Sequence, residues 1–121
     1  MGNIETGKIG EKLALKYLKR NKYKILEQNY YTKLGEIDII AFDLKNEELV
    51  FVEVKARTSD RFGWPEDSIT ESKFFHMTRT AQNYIYSSGR DDLKYRFDAV
   101  SICLDYNTRK SIIKHFKNIG F

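Results

Sequence analysis

Apolar residues recur at helical spacing through the first twenty positions. Ile9, Leu13 and Tyr17, with Ala14 and Leu18 beside them, fall on one side of a helix over Ile4 to Arg20. The period then changes. Tyr23 to Thr32 (YKILEQNYYT) is rich in β-favouring side chains and predicts a strand. Gly35 to Phe42 and Glu48 to Ala56 carry stronger strand patterns around a polar turn, Asp43 to Glu47, and together predict a hairpin. Arg57 to Ile69 (RTSDRFGWPEDSI) is polar, contains Gly63 and the chain's only proline, Pro65, and reads as a loop. Ser68 and Glu71 have capping-box spacing, and Phe74, Thr78, Ala81 and Ile85 then form a helical stripe that stops at Gly89. Lys94 to Leu104 and Ser111 to Lys117 read as two strands around a turn at Tyr106 to Lys110. The order αβββαββ predicts an α/β fold with a mixed sheet and helices packed on it. With no repeat and no linker, the 121 residues are expected to form a single domain spanning 1–121.

The hairpin holds the informative chemistry. Side chains alternate across a sheet, which puts Glu36, Asp38, Ile40 and Phe42 on one face and Ile37, Ile39 and Ala41 on the other. In the partner strand Leu49, Phe51, Glu53 and Lys55 share a face, opposite Val50, Val52 and Val54, which belong to the core. A turn centred on Lys45 and Asn46 makes the numbers of opposed residues sum to 91, pairing Asp38 with Glu53 and Glu36 with Lys55. Opposed side chains have Cβ atoms about 4.5–5.5 Å apart, so two carboxylates there repel unless a cation lies between them. Mg²⁺, which takes hard oxygen ligands and keeps several waters, is the natural candidate. Lys55 would then sit beside the metal-bound water, able to orient the nucleophile or to neutralise charge on a phosphate. The alternative is an ordinary solvated hairpin face. Against it, Ile40, Phe42, Leu49 and Phe51 make the far end of that face apolar, so the charges border a buried surface where isolated ones are costly. Glu11 shares a helical face with Ala14, Leu15 and Leu18. It could point at the acidic cluster as a further ligand or turn out to water as a boundary residue.

Composition narrows the class without choosing the function. Hydrophobic residues make up 41% and charged residues 31%, enough for a core in a soluble protein. No apolar run approaches the ~20 residues of a membrane span, and the opening MGNIETGKIGEKL has no signal-peptide core, so export is not expected. Gly2 with Thr6 meets a myristoylation pattern only superficially. One cysteine, Cys103, suits the reducing cytoplasm and is expected as a buried structural thiol. Two histidines and one cysteine are too few for a zinc site, so any metal is expected on oxygen. The net charge of +4 would favour a phosphate backbone but does not by itself imply one.

Glu11 in the first helix, Asp38 in GEIDIIA, and Glu53 with Lys55 in FVEVKAR resemble the PD-(D/E)xK nucleases, the restriction-endonuclease-like and Holliday-junction-resolvase-like superfamily. More closely, GxxGExxALxYL, NYYTKLGEIDIIA, FVEVKARTSDRFGWPEDSIT and YRFDAVSI look like the uncharacterised YraN-like family of predicted nucleases, over Gly7 to about Ile113. The resemblance implies an αβββαβ core with an additional C-terminal strand, and Mg²⁺-dependent hydrolysis of phosphodiester bonds, with Mn²⁺ as a substitute. It implies Asp38 and Glu53 as metal ligands, Lys55 as the catalytic lysine, and Glu11 as the helix glutamate assisting the metal. Two positions depart from the pattern: Ile37 replaces the proline before the aspartate, and Phe74 follows Lys73 where related resolvases can carry glutamine.

Arg57, Arg61 and Lys73 follow the ExK strand and could grip phosphates, or simply be solvated. Trp64 could stack on an exposed base or anchor its loop. Asp98 could orient Arg96 or form a strand-end salt bridge, and His76 and His115 show no partner at ligand spacing. The expected function is a DNA-processing nuclease acting on branched or damaged DNA, because a compact core has little room for base-reading elements. A homodimer, common among relatives of this size, is part of that expectation. The rivals are a nucleic-acid-binding protein that keeps the nuclease fold without turnover, and an oligomerisation module unrelated to nucleic acid.

Overall fold

The computed structural model describes residues 3–58 and 69–120. Helix α1 (Asn3–Arg20) leads into strands β1 (Tyr23–Thr32), β2 (Gly35–Asp43) and β3 (Glu48–Thr58); helix α2 (Glu71–Ser88) follows, then β4 (Lys94–Asp105) and β5 (Lys110–Phe116). The strands form one sheet in the order β1-β2-β3-β4-β5, parallel only between β3 and β4. A parallel pair cannot be joined by a tight turn, and α2 lies within the long connection that joins this one. The result is the restriction-endonuclease-like αβββαβ arrangement extended by an antiparallel edge strand.

The sheet is buried on both sides, which explains why β2 and β3 contain consecutive apolar residues rather than strict alternation. Ala14 and Leu18 of α1 cluster with Ile39, Ala41, Val50, Val52, Val100 and Ile102. Met77, Ala81 and Tyr84 of α2 cluster with Ile37, Ile40, Leu49, Phe51 and Phe97. The predicted hairpin register is present from Asp43↔Glu48 to Ile39↔Val52. Its turn is shaped by Asp43, whose Oδ1 accepts the amides of Lys45 at 3.0 Å and Asn46 at 3.1 Å.

The start of α2 departs from the expected capping box. Thr70 is the N-cap, its hydroxyl accepting the Lys73 amide at 3.1 Å, while Ser68 lies outside the described residues. Gly89 ends the helix at φ 70°, a left-handed conformation that costs glycine little. Among the described residues no helix is long and apolar enough to cross a membrane.

Candidate active site

The site forms where the ladders on both sides of β2 are interrupted. Pairing with β1 joins Gln28 to Ile39 and Tyr30 to Ile37, so Asn29 stands opposite Asp38, and Asn29 takes the left-handed conformation at φ 51°. On the other side, described pairing with β3 stops at Ile39↔Val52. There the Asp38 carboxylate replaces the backbone as acceptor, taking the Val54 amide at 2.7 Å. Strand alternation breaks at the same place. Ile37 was expected beside Ile39 and Ala41, yet it packs with Ile40 in the α2 cluster. A regular ladder would have placed Asp38 as one more outward side chain; the break turns its carboxylate along the sheet toward β3.

Asp38, Glu53 and Lys55 line a single cleft of about 670 Å³, with Glu36 and the hairpin residues Lys33 and Leu34 on one side and Ser72, Lys73 and His76 of α2 on the other. Glu53 is buried at 4% exposure, and its Oε2 is ion-paired with Lys73 Nζ and lies 3.9 Å from Lys55 Nζ. Burial pushes the Asp38 carboxyl up to about 8, reinforced by the negative charge of Glu53 and, more weakly, of Glu11, while the Val54 amide opposes the shift. Burial and the neighbouring Lys73 ammonium lower the Lys55 ammonium, though Glu53 pulls the other way. Burial would also lower Lys73, but hydrogen bonding and ion pairing with Glu53 raise it. The cleft therefore concentrates negative charge between two carboxyls and surrounds it with amines.

Glu11 approaches from α1, on the other face of the sheet. Gly10, the residue before it, brings the helix close to β3: a Cβ there would lie 2.4 Å from that of Ala56. Glu11 is half-buried and feels the Asp38 charge, although no three His, Cys, Asp or Glu side chains among the described residues gather closely enough to hold a metal together. Arg57 is half-buried at the end of β3, with its Nε lacking a hydrogen-bond partner among the described residues. Arg61 and Trp64 lie outside the described residues. Lys73 stands against Glu53 inside the cleft rather than as a solvated charge.

His115, given no partner by sequence spacing, has two. Its Nε2 lies 2.7 Å from Asp98 Oδ2, and its Nδ1 lies 2.9 Å from the Tyr17 hydroxyl. Asp98 also takes Arg96 in the expected salt bridge at 3.0 Å, and Arg96 continues to Asp43 and Glu48, each at 2.9 Å. No local signal could have revealed this network, because its members are 17 to 98 positions apart apart from the Arg96–Asp98 pair. Cys103 is half-buried in β4 rather than fully enclosed.

Comparison with known proteins agrees with this architecture. The family model described as uncharacterised protein family UPF0102 matches residues 10–102, which include Glu11, Asp38, Glu53, Lys55 and Asp98. The UPF0102 protein of Alkaliphilus oremlandii is 44% identical over 118 residues, covering 96% of this chain and 97% of the relative. That of Thermodesulfovibrio yellowstonii is 45% identical over 121 residues, covering both chains completely. That of Syntrophomonas wolfei is 42% identical over 116 residues, 96% of this chain and 97% of the relative. Likeness at this level along nearly the entire length, together with the αβββαβ core, establishes that the chain belongs to the uncharacterised protein family UPF0102, the YraN-like family of the PD-(D/E)xK superfamily.

Proposed function

We propose that this protein is a divalent-metal-dependent nuclease that hydrolyses phosphodiester bonds in DNA. The observation that carries the reading is the pairing of Asp38 with Glu53 in one cleft: burial and like charge push Asp38 up to about 8, and amines flank the pair. Two carboxylates that destabilise each other's charge fit a hard cation such as Mg²⁺, with Mn²⁺ as a substitute. Asp38 and Glu53 would hold it, with Glu11 assisting from α1. A bound divalent ion supplies Lewis acidity toward a phosphoryl oxygen and lowers the pKa of water. Lys55 contributes positive charge beside the reacting phosphate, and its lowered affinity for a proton suits it to exchange one with water. Lys73 anchors Glu53 until a cation enters, and is then freed to meet a phosphate. Two chains acting together would address both strands of a duplex, and the cytoplasm is the compartment that keeps the lone Cys103 reduced.

The test is cleavage of branched, nicked and single-stranded DNA in Mg²⁺ or Mn²⁺. Asp38→Ala and Lys55→Ala should each lower the rate by about 100-fold or more. Equal activity in wild type and both variants would identify a contaminant and sink the reading. Salt-dependent DNA binding without cleavage in either metal would instead select the non-catalytic binding protein.

A further inference from the structure

Large apolar side chains stand exposed around the mouth of the candidate active site. Tyr31 is 74% exposed, Leu34 40% and Phe75 55%. Tyr31 opposes Glu36 in the β1–β2 ladder, and opposed residues of an antiparallel pair project to the same face. Glu36 and Leu34 line the cleft, which places Tyr31 at its hairpin edge. On the α2 wall, His76 lines the cleft and meets the Phe75 ring edge-on, with centroids 5.7 Å apart at 71°. The Arg79 guanidinium lies 5.7 Å from the centre of the Phe75 ring. Both walls thus end in aromatic or apolar surface interleaved with cations.

A continuous duplex has little use for such a rim. It presents phosphates outward and keeps the faces of its bases stacked, so lysines alone would suffice to hold it. Unpaired bases expose their faces, and aromatic side chains beside a cationic groove are the means by which proteins hold single strands. A protein partner would call for a continuous apolar patch, whereas this one surrounds a charged cleft. Resting on the nuclease reading, we propose that Tyr31 and Phe75 stack on unpaired bases, so that the substrate is nucleic acid with single-stranded or extruded nucleotides at the cut.

The test measures anisotropy of a labelled single strand and of a blunt duplex of equal length, with Ca²⁺ in place of Mg²⁺. Replacing both residues, Tyr31→Ala with Phe75→Ala, should weaken single-strand binding about tenfold or more and leave duplex binding within about twofold. Phe75→Trp should retain binding, and thermal melting should show the variants folded, since both side chains are exposed. Equal losses on the two substrates, or no loss on either, would overturn the proposal. Aromatic-dependent single-strand binding with no cleavage in Mg²⁺ would support the rim while removing the nuclease. Cleavage with unaltered binding in the double variant would do the reverse.

Discussion

Asp38 is held in a position that opposes its own charge. Its side chain takes a hydrogen bond that a regular ladder would give to backbone, and burial and Glu53 raise its pKa from 3.8 to about 8. A carboxyl raised on folding binds more protons in the folded than in the unfolded state between those values. Without metal, its cost to stability is absent below about pH 3.8, grows through the neutral range and is complete above about pH 8. Asp38→Asn keeps an acceptor for Val54 and removes the charge. The metal-free variant should therefore gain about 1–2 kcal/mol, a Tm rise of several degrees, at pH 8 to 9, with the gain shrinking toward pH 4. A Tm difference that stayed constant across that range would show that charge at Asp38 is not what strains the site. Metal binding should release protons from the wild type near neutral pH, as weakly buffered titration would show.

Among the elements, α1 decides whether Glu11 reaches the acidic pair. The helix approaches β3 at Gly10, where a Cβ would come 2.4 Å from Ala56 Cβ and 3.6 Å from its Cα. Such an overlap can be relieved only by moving the helix or the strand. Gly10→Ala should destabilise the fold by about 1–3 kcal/mol despite alanine's better helix propensity, and should lower cleavage by shifting Glu11. Adding Ala56→Gly should restore part of both, as a double-mutant cycle on Tm and rate would reveal. Additive losses would place the strain elsewhere. At α2 the cap is Thr70, and Thr70→Ala should cost about 1 kcal/mol in denaturant unfolding, loosening the helix start that positions Lys73.

Across the whole molecule, the Arg96 network joins α1 and all five strands: Tyr17, Tyr23, Asp43, Glu48, Asp98 and His115 meet around it. Arg96 is only 7% exposed and Asp98 fully buried, so loss of the cation strands negative charge in the interior. Arg96→Leu should cost about 3–5 kcal/mol in denaturant unfolding. A cost under about 1 kcal/mol would mean that water compensates the acids. Burial would raise Asp98, yet bonds from His115, Arg96 and the Asn118 amide hold it below its ordinary 3.8; Asp43 is likewise lowered against its burial by Asn46 and Arg96. Carboxyls lowered on folding contribute stability that is present above about pH 3.8 and lost as acid titrates them. Because Asp38 acts in the opposite sense, the metal-free protein should melt highest in the mildly acidic range, with Arg96→Leu flattening the acid side of that profile.

Period and residue chemistry determined most of the architecture. Helical and strand spacing located both helices and all five strands to within a residue or two, and turn chemistry at Asp43 to Glu47 determined the hairpin register that puts Asp38 near Glu53. These properties are local, so neighbouring positions carry them. The tertiary structure decided what depends on packing between distant segments: the ladder break that turns Asp38 toward Val54, the placement of Lys73 against Glu53, and the burial of His115 between Asp98 and Tyr17. An aspartate in a strand is polar wherever it points. Its direction, and hence its charge, is set only when two strands and two helices close around it.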